Sequence, residues 1–168
     1  VLYQGIPKSA KMDIIIQKCT EMGIKRIVPV ITSRTVVRLE SEKDEMKKAE
    51  RWAKIAEEAA KQSGRGIIPD IGMPVALHQA LTDAAGLDLV IIPYELEAGI
   101  PVKEALSKNK AGSIGFFIGP EGGFEPSEVE KAKEMGAVPV TLGRRILRTE
   151  TAGIAVLTSI MYEYDQMK

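Results

Sequence analysis

The stretch Ile118-Gly119-Pro120-Glu121-Gly122-Gly123-Phe124 decides the fold. An apolar run, Ile114 to Phe117, leads into it, and Pro126-Ser127-Glu128 opens a helix after it. Glycine tolerates positive φ and lets a ligand approach the main chain, whereas proline fixes its own φ and removes a donor. A loop of this composition between a buried strand and a helix is a common ligand-binding device.

Outward from that loop, strands and helices alternate. The lead-in Val1 to Ile6 is short and apolar, ended by Pro7. Ser9 is placed to cap a first helix whose apolar positions Met12, Ile15, Ile16, Cys19 and Met22 follow helical spacing up to Gly23. A strand follows over 27–31, then a connection over 32–39 that carries Arg34 and Arg38. Ser41 with Asp44 three residues on resembles a capping box, opening a helix to about Ser63 that buries Ala49, Trp52, Ala53, Ala56 and Ala60. Further strands are expected over 67–71, 87–92, 113–118 and 138–142. Helices are expected over 74–84, 101–107, 126–135 and 151–164. The last of these is apolar nearly all round, as a buried helix must be. Alternation of this kind implies one α/β domain with a largely parallel sheet and helices on both faces. Ligands bind such sheets at the carboxyl ends of strands, where three unusual loops fall: Pro93-Tyr94-Glu95, 119–124 and 143–151.

Composition narrows the function. A chain of 168 residues, 45% apolar and 27% charged, is a single soluble-type domain with a real core. Lys plus Arg number 23 and so do Asp plus Glu, which excludes a uniformly basic nucleic-acid coat but not a local basic patch. One cysteine, Cys19, excludes an internal disulfide framework and suits a reducing cytosol. One Cys and one His leave no zinc site of the usual kind, so no metal is expected. No stretch reaches the roughly 18 apolar residues that span a bilayer, so no membrane partner is expected. The chain opens on Val1 rather than Met, as a fragment or processed form would.

The two loops then indicate chemistry. A P-loop needs Lys followed by Ser or Thr after its glycines, and Phe124-Glu125 stands there instead. A dinucleotide fingerprint would follow the first strand with different spacing. Glu121 and Glu125 would repel phosphate, so a neutral or cationic ligand suits this loop better. The second loop, Gly143-Arg144-Arg145-Ile146-Leu147-Arg148-Thr149-Glu150-Thr151-Ala152, is rich in arginine, which clamps phosphates or the anionic edge of a base. The plain alternatives are a tight turn for the first loop and a solvated basic loop with a threonine helix cap for the second. His78 is read as a surface residue, and Cys19 and Trp52 as packing.

Taken together, 118–124 and 142–152 resemble the bacterial small-subunit (16S) ribosomal RNA uridine-N3 methyltransferases of the SPOUT superfamily. Supporting stretches are Lys8-Ser-Ala-Lys-Met-Asp-Ile-Ile-Ile-Gln-Lys-Cys-Thr-Glu-Met-Gly23 and Glu58-Ala-Ala-Lys-Gln-Ser-Gly-Arg65. A sister group that methylates ribose has an Asn-rich start to its last helix; Thr149-Glu150-Thr151 departs from that and favours a base target. The resemblance implies a deep trefoil knot, a rare exception to ordinary chain topology, with the last strand and helix threaded through an earlier loop. It also implies S-adenosylmethionine as cofactor, held by Pro93, Tyr94, Glu95, Gly119, Pro120, Glu121, Gly122, Gly123, Leu142, Gly143, Ile146, Leu147, Arg148, Thr149 and Ala152. Partners implied are small-subunit ribosomal RNA, or the assembled small subunit, and a second copy in a homodimer. The RNA-facing candidates are Lys8, Lys11, Arg34, Arg65 and Arg144, with Lys18 beside them.

Methyl transfer from a sulfonium needs alignment more than acid–base help. Arg145 and Arg148 are the candidates for stabilising charge that develops on the uracil O2 or O4, and Glu121 or Glu150 for accepting the N3 proton. Residues 1–168 are expected to form the methyltransferase domain alone, without the amino-terminal PUA-like β-barrel of the family. Cofactor binding should survive its absence; RNA affinity is the property at risk. The alternatives are a non-catalytic RNA-binding or ribosome-assembly module of the same fold, and an unrelated nucleotide-binding α/β enzyme.

Overall fold

The computed structural model describes residues 1–38, 41–95 and 100–167. The end of the 32–39 connection, Leu39, lies outside the described residues. In chain order the elements are β1 (Leu2–Gly5), α1 (Lys11–Glu21), β2 (Arg26–Ile31), α2 (Glu42–Gln62), β3 (Asp70–Ile71), β4 (Val75–Ala76), α3 (Leu77–Ala84), β5 (Leu89–Pro93), α4 (Val102–Ser107), β6 (Ile114–Ile118), α5 (Pro126–Glu134), β7 (Val138–Val140) and α6 (Thr149–Glu163).

Every strand pairing is parallel, and the sheet runs β3-β2-β1-β6-β5-β7, with β4 also on β2. Successive strand residues feed opposite faces, as a two-residue period requires. Leu2, Ile27, Ile91 and Phe116 enter a core with α1, α2, α4 and α6. Their neighbours Tyr3, Val28, Ile92 and Phe117 enter a second core with α3 and α5. Tyr3 and Phe117 stack there with ring centroids 4.5 Å apart, and the Tyr3 hydroxyl donates to Asp83. Strands apolar on both faces are what a doubly covered parallel sheet demands.

Several sequence expectations need correction. The apolar lead-in is β1, a central strand between β2 and β6. Ser9 does not cap α1: it sits at φ +57°, and Ala10 occupies the N-cap position without a side-chain bond. Glu121, from a distant loop, holds the Lys8 amide and Lys11 instead. On α2 the Ser41 cap accepts from the Asp44 amide as expected. Ala53 is exposed and Ala59 buried, because the buried stripe Ala49, Trp52, Ala56, Ala59, Ala60 passes one residue to the side of Ala53. The strand over 67–71 shrinks to Asp70–Ile71, with Ile67 and Ile68 exposed ahead of Pro69, which has no N–H to pair. Val75 and Ala76 pair with β2 before α3 begins at Leu77, so the helix expected from Pro74 starts later. The last helix begins two residues earlier than expected, at Thr149. Cys19 and Trp52 are buried and His78 is exposed, as expected.

Candidate functional site

Strands β6, β5 and β7 lie side by side and end together, so their following loops meet. They enclose a cavity of about 790 Å³ lined by Lys11, 93–95, 118–124, 141–150 and Ala152. All fifteen residues expected to hold a cofactor line it, as do Arg145, Glu150 and Arg144. Lys8, Arg34 and Arg65 do not.

The first loop closes on itself. The Gly123 amide donates to the Pro120 carbonyl, and Gly123 sits at φ +68°. A Cβ on Gly119 would lie 2.9 Å from the Gly123 main chain, and one on Gly122 would lie 3.1 Å from Arg34 Cδ. Glycine is therefore demanded by the loop's own packing, not only by ligand approach. Gly5, at the end of β1, is constrained likewise: its Cβ would meet Pro120 Cδ at 2.6 Å.

Two clamps hold this loop from outside. Arg34 donates from Nε to Glu125 (2.8 Å) and from a terminal nitrogen to the Gly122 carbonyl. Glu128, buried in the first turn of α5, accepts from the amides of Ser33 and Glu125, both at 2.8 Å, and so ties the Arg34 segment to the helix. On the other side Glu121 accepts from the Lys8 amide (3.1 Å) and from Lys11 Nζ (2.8 Å). Burial would raise the Glu121 carboxyl, but Lys11 and the surrounding amides outweigh it and hold it below the usual glutamate value.

Below the cavity, Thr149 Oγ1 donates to the Gly119 carbonyl (2.6 Å) and accepts from Gln4 Nε2 (2.9 Å), so the start of α6 is fastened to the first loop. Sequence reasoning missed Gln4 and Glu128. A polar amide inside the apolar run Val1 to Ile6 was the available signal for Gln4.

The second loop is built differently. Thr141 Oγ1 accepts from the Gly143 amide (3.1 Å), and Gly143 at φ +99° turns the chain out of β7. Beyond it Arg144, Arg145 and Arg148 are exposed, and their guanidinium groups have no hydrogen-bond or ion-pair partner among the described residues; the Arg148 carbonyl accepts from the Thr151 and Ala152 amides at the start of α6. Ile146 between them is 85% exposed despite being aliphatic. Glu150 has a buried carboxylate oxygen, Oε2, with no partner among the described residues. Arg65 is committed elsewhere: its guanidinium donates to the carbonyls of Thr20 and Ile24, closing the end of α1. Among the described residues there is no cluster of three or more His, Cys, Asp or Glu that could hold a metal, and no helix long and apolar enough to cross a membrane.

A parallel sheet covered on both faces, with a glycine-rich loop and an arginine-rich loop over three adjacent strand ends, defines an open α/β domain that takes a ligand at those ends. Comparison with known proteins carries this further. Residues 1–161 match the family model described as RNA methyltransferase domain, and the chain belongs to that family. The ribosomal RNA small subunit methyltransferase E of Bacillus subtilis is 38% identical over 172 residues, covering 99% of this chain and 67% of the relative. The chain thus spans about two thirds of that relative's length. Its namesake from Neisseria gonorrhoeae, solved bound to S-adenosyl methionine, superimposes with a TM-score of 0.81 at 34% identity, over 96% of this chain and 64% of that one. A Legionella pneumophila protein solved with bound S-adenosylmethionine gives 0.85 at 33% identity, with the same coverage.

Proposed function

We propose that this domain binds S-adenosylmethionine in the cavity between the two loops and methylates N3 of a uridine in small-subunit ribosomal RNA. The observation that carries the proposal is the cavity itself, which gathers both loops and has at its wall three guanidinium groups and one carboxylate oxygen with no partner among the described residues. The residues suit the cofactor. Leu142, Leu147 and Ile146 offer apolar surface to an adenine, the loop main chain offers donors and acceptors, and the carboxylates of Glu95 and Glu150 at the wall are suited to a cationic sulfonium beside them. Similar proteins solved with that cofactor add support.

When bound, the cofactor supplies an electrophilic methyl group on a sulfonium sulfur. The chain's own residues then have three tasks. The Pro120 turn and the start of α6 align donor and acceptor for in-line displacement, the main source of acceleration in such a transfer. Arg145 and Arg148, whose guanidinium groups have no partner among the described residues, stabilise the negative charge that grows on O2 or O4 as N3 loses its proton. That proton goes to a carboxylate, and the geometry favours Glu150. Glu121 is already occupied by Lys8 and Lys11, and its depressed pKa makes it a weaker base. Lys8 and Arg144 extend the basic rim to RNA phosphates.

The fold supports two further parts of the proposal. β7 lies beside β5, Pro101 bridges Thr141, and α6 packs on α1, α4 and β6, an arrangement consistent with threading of the C-terminal segment through a SPOUT-type knot. Ile154, Ile160 and Met161 on α6 are only partly buried, leaving an apolar strip that a second copy would cover in a homodimer.

The test is methyl transfer from labelled S-adenosylmethionine to small-subunit RNA or particles lacking the modification, with the product nucleoside identified. N3-methyluridine is the expected product. A folded protein that binds the RNA and the cofactor without transferring methyl would favour a non-catalytic assembly module.

A further inference from the structure

We infer that Gln4 is a positioning residue for the cofactor site, acting through Thr149 on the glycine-rich loop; the inference rests on the cofactor assignment above. Gln4 lies on the central strand β1, opposite Ile118 of β6, and is fully buried. Its Nε2 donates both to the Gly5 carbonyl and to Thr149 Oγ1, each at 2.9 Å. A threonine hydroxyl has a single proton. With its oxygen accepting from Gln4, that proton is directed to the Gly119 carbonyl at 2.6 Å. The chain Gln4 amide to Thr149 hydroxyl to Gly119 carbonyl therefore runs in one sense, from the sheet centre into both loops.

Two observations separate this from ordinary packing. The Gln4 amide is only half used: Oε1 is buried and has no partner among the described residues. A buried polar group left partly unsatisfied is destabilising, so an aliphatic side chain would serve the core of β1 better. The chain of hydrogen bonds that starts at Gln4 joins two loops of one cavity through Thr149, since Gly119 and Thr149 both line it while Gln4 does not. The distance between the two loops is thus set from beneath the site by a residue that touches no ligand.

The experiment is a double-mutant cycle read by calorimetric titration with S-adenosylmethionine, with thermal melts alongside. Gln4→Met keeps length and removes the amide; Thr149→Val removes the hydroxyl; Thr149→Ser restores it. The expected result is that Q4M and T149V each weaken cofactor binding about 10-fold, that the double variant is no weaker than either single one, and that T149S stays near the parent. The Q4M melting temperature should hold or rise, because a half-satisfied buried amide has gone. Cofactor affinity unchanged in Q4M, or losses that simply add, would overturn the inference while leaving the cofactor assignment standing. A folded parent that does not bind S-adenosylmethionine would overturn both. If Q4M does not fold, NMR of the Gln4 side-chain amide protons decides: they should shift in T149V and stay in T149S, and no shift in T149V would refute the coupling.

Discussion

The two loops over the sheet end are opposites in construction. In the first, the loop is fastened at several points within the chain: Arg34 holds the Gly122 carbonyl, Thr149 holds that of Gly119, and Lys11 holds Glu121. In the second, the guanidinium groups of Arg144, Arg145 and Arg148 have no partner among the described residues, and Ile146 is open to solvent. A loop tied at several points has its shape before any ligand arrives. A loop with unspent charge and exposed apolar surface gains its partners only when something docks. The first has the character of a preformed cradle for a small cofactor, and the second that of a surface completed by a polyanionic substrate.

That contrast can be broken by experiment. The largest effect should come from Arg145→Ala, which removes a guanidinium proposed to stabilise charge on the target base. Methyl transfer to RNA should fall about 100–1000-fold while cofactor affinity stays close to the parent's. Equal loss of cofactor affinity would erase the division of labour. Gly119→Val should do the reverse. Its Cβ meets the Gly123 main chain at 2.9 Å, and the distortion should weaken cofactor binding about 10–100-fold in a protein that still folds. Retained affinity would mean that the cradle is not built from this loop.

Smaller effects sharpen the account of how the first loop is fastened. The Lys11 contact and neighbouring amides hold Glu121 below its usual pKa against the opposing effect of burial. The pairing therefore contributes stability above the ordinary glutamate pKa, and that contribution is lost as pH falls through the depressed value. Lys11→Met should lower the unfolding free energy measured by urea titration at neutral pH by on the order of 0.5 kcal/mol, given the partial exposure of both groups, and the difference should vanish in acid. A difference that grows in acid would contradict the pairing. The smallest effect is a gain. Gly153 lies inside α6, and a Cβ there would meet nothing nearer than Gln4 Oε1 at 3.7 Å. Gly153→Ala should stabilise the fold by about 0.5–1 kcal/mol in thermal melts.

Much of this arrangement is legible in the sequence, because the two loops use residue types with few other purposes. Glycine and proline clustered after an apolar run mark the first loop, and repeated arginine after a strand marks the second. Both fall on the cavity, together with Pro93, Tyr94 and Glu95. Other parts leave no local trace. Four residues suffice for β1, and at a chain start they look like a lead-in; only pairing with distant β2 and β6 makes them central. Ser9 carries a good cap residue, yet Glu121, 110 or more positions away, takes over the neighbouring groups. Gln4 and Glu128 have their partners at positions 149 and 33, separations that no periodicity reveals. What sequence pattern conveys is local chemistry; which groups exhaust one another is fixed only by the fold.

The central claim is that the fastened first loop and the start of α6 form a preformed S-adenosylmethionine site. Isothermal titration of the folded chain with S-adenosylmethionine, without RNA, tests it most directly. The account predicts saturable binding of one cofactor per chain, little changed by Arg145→Ala and weakened by Gly119→Val. Absence of binding at millimolar cofactor by a protein that melts cooperatively would contradict it.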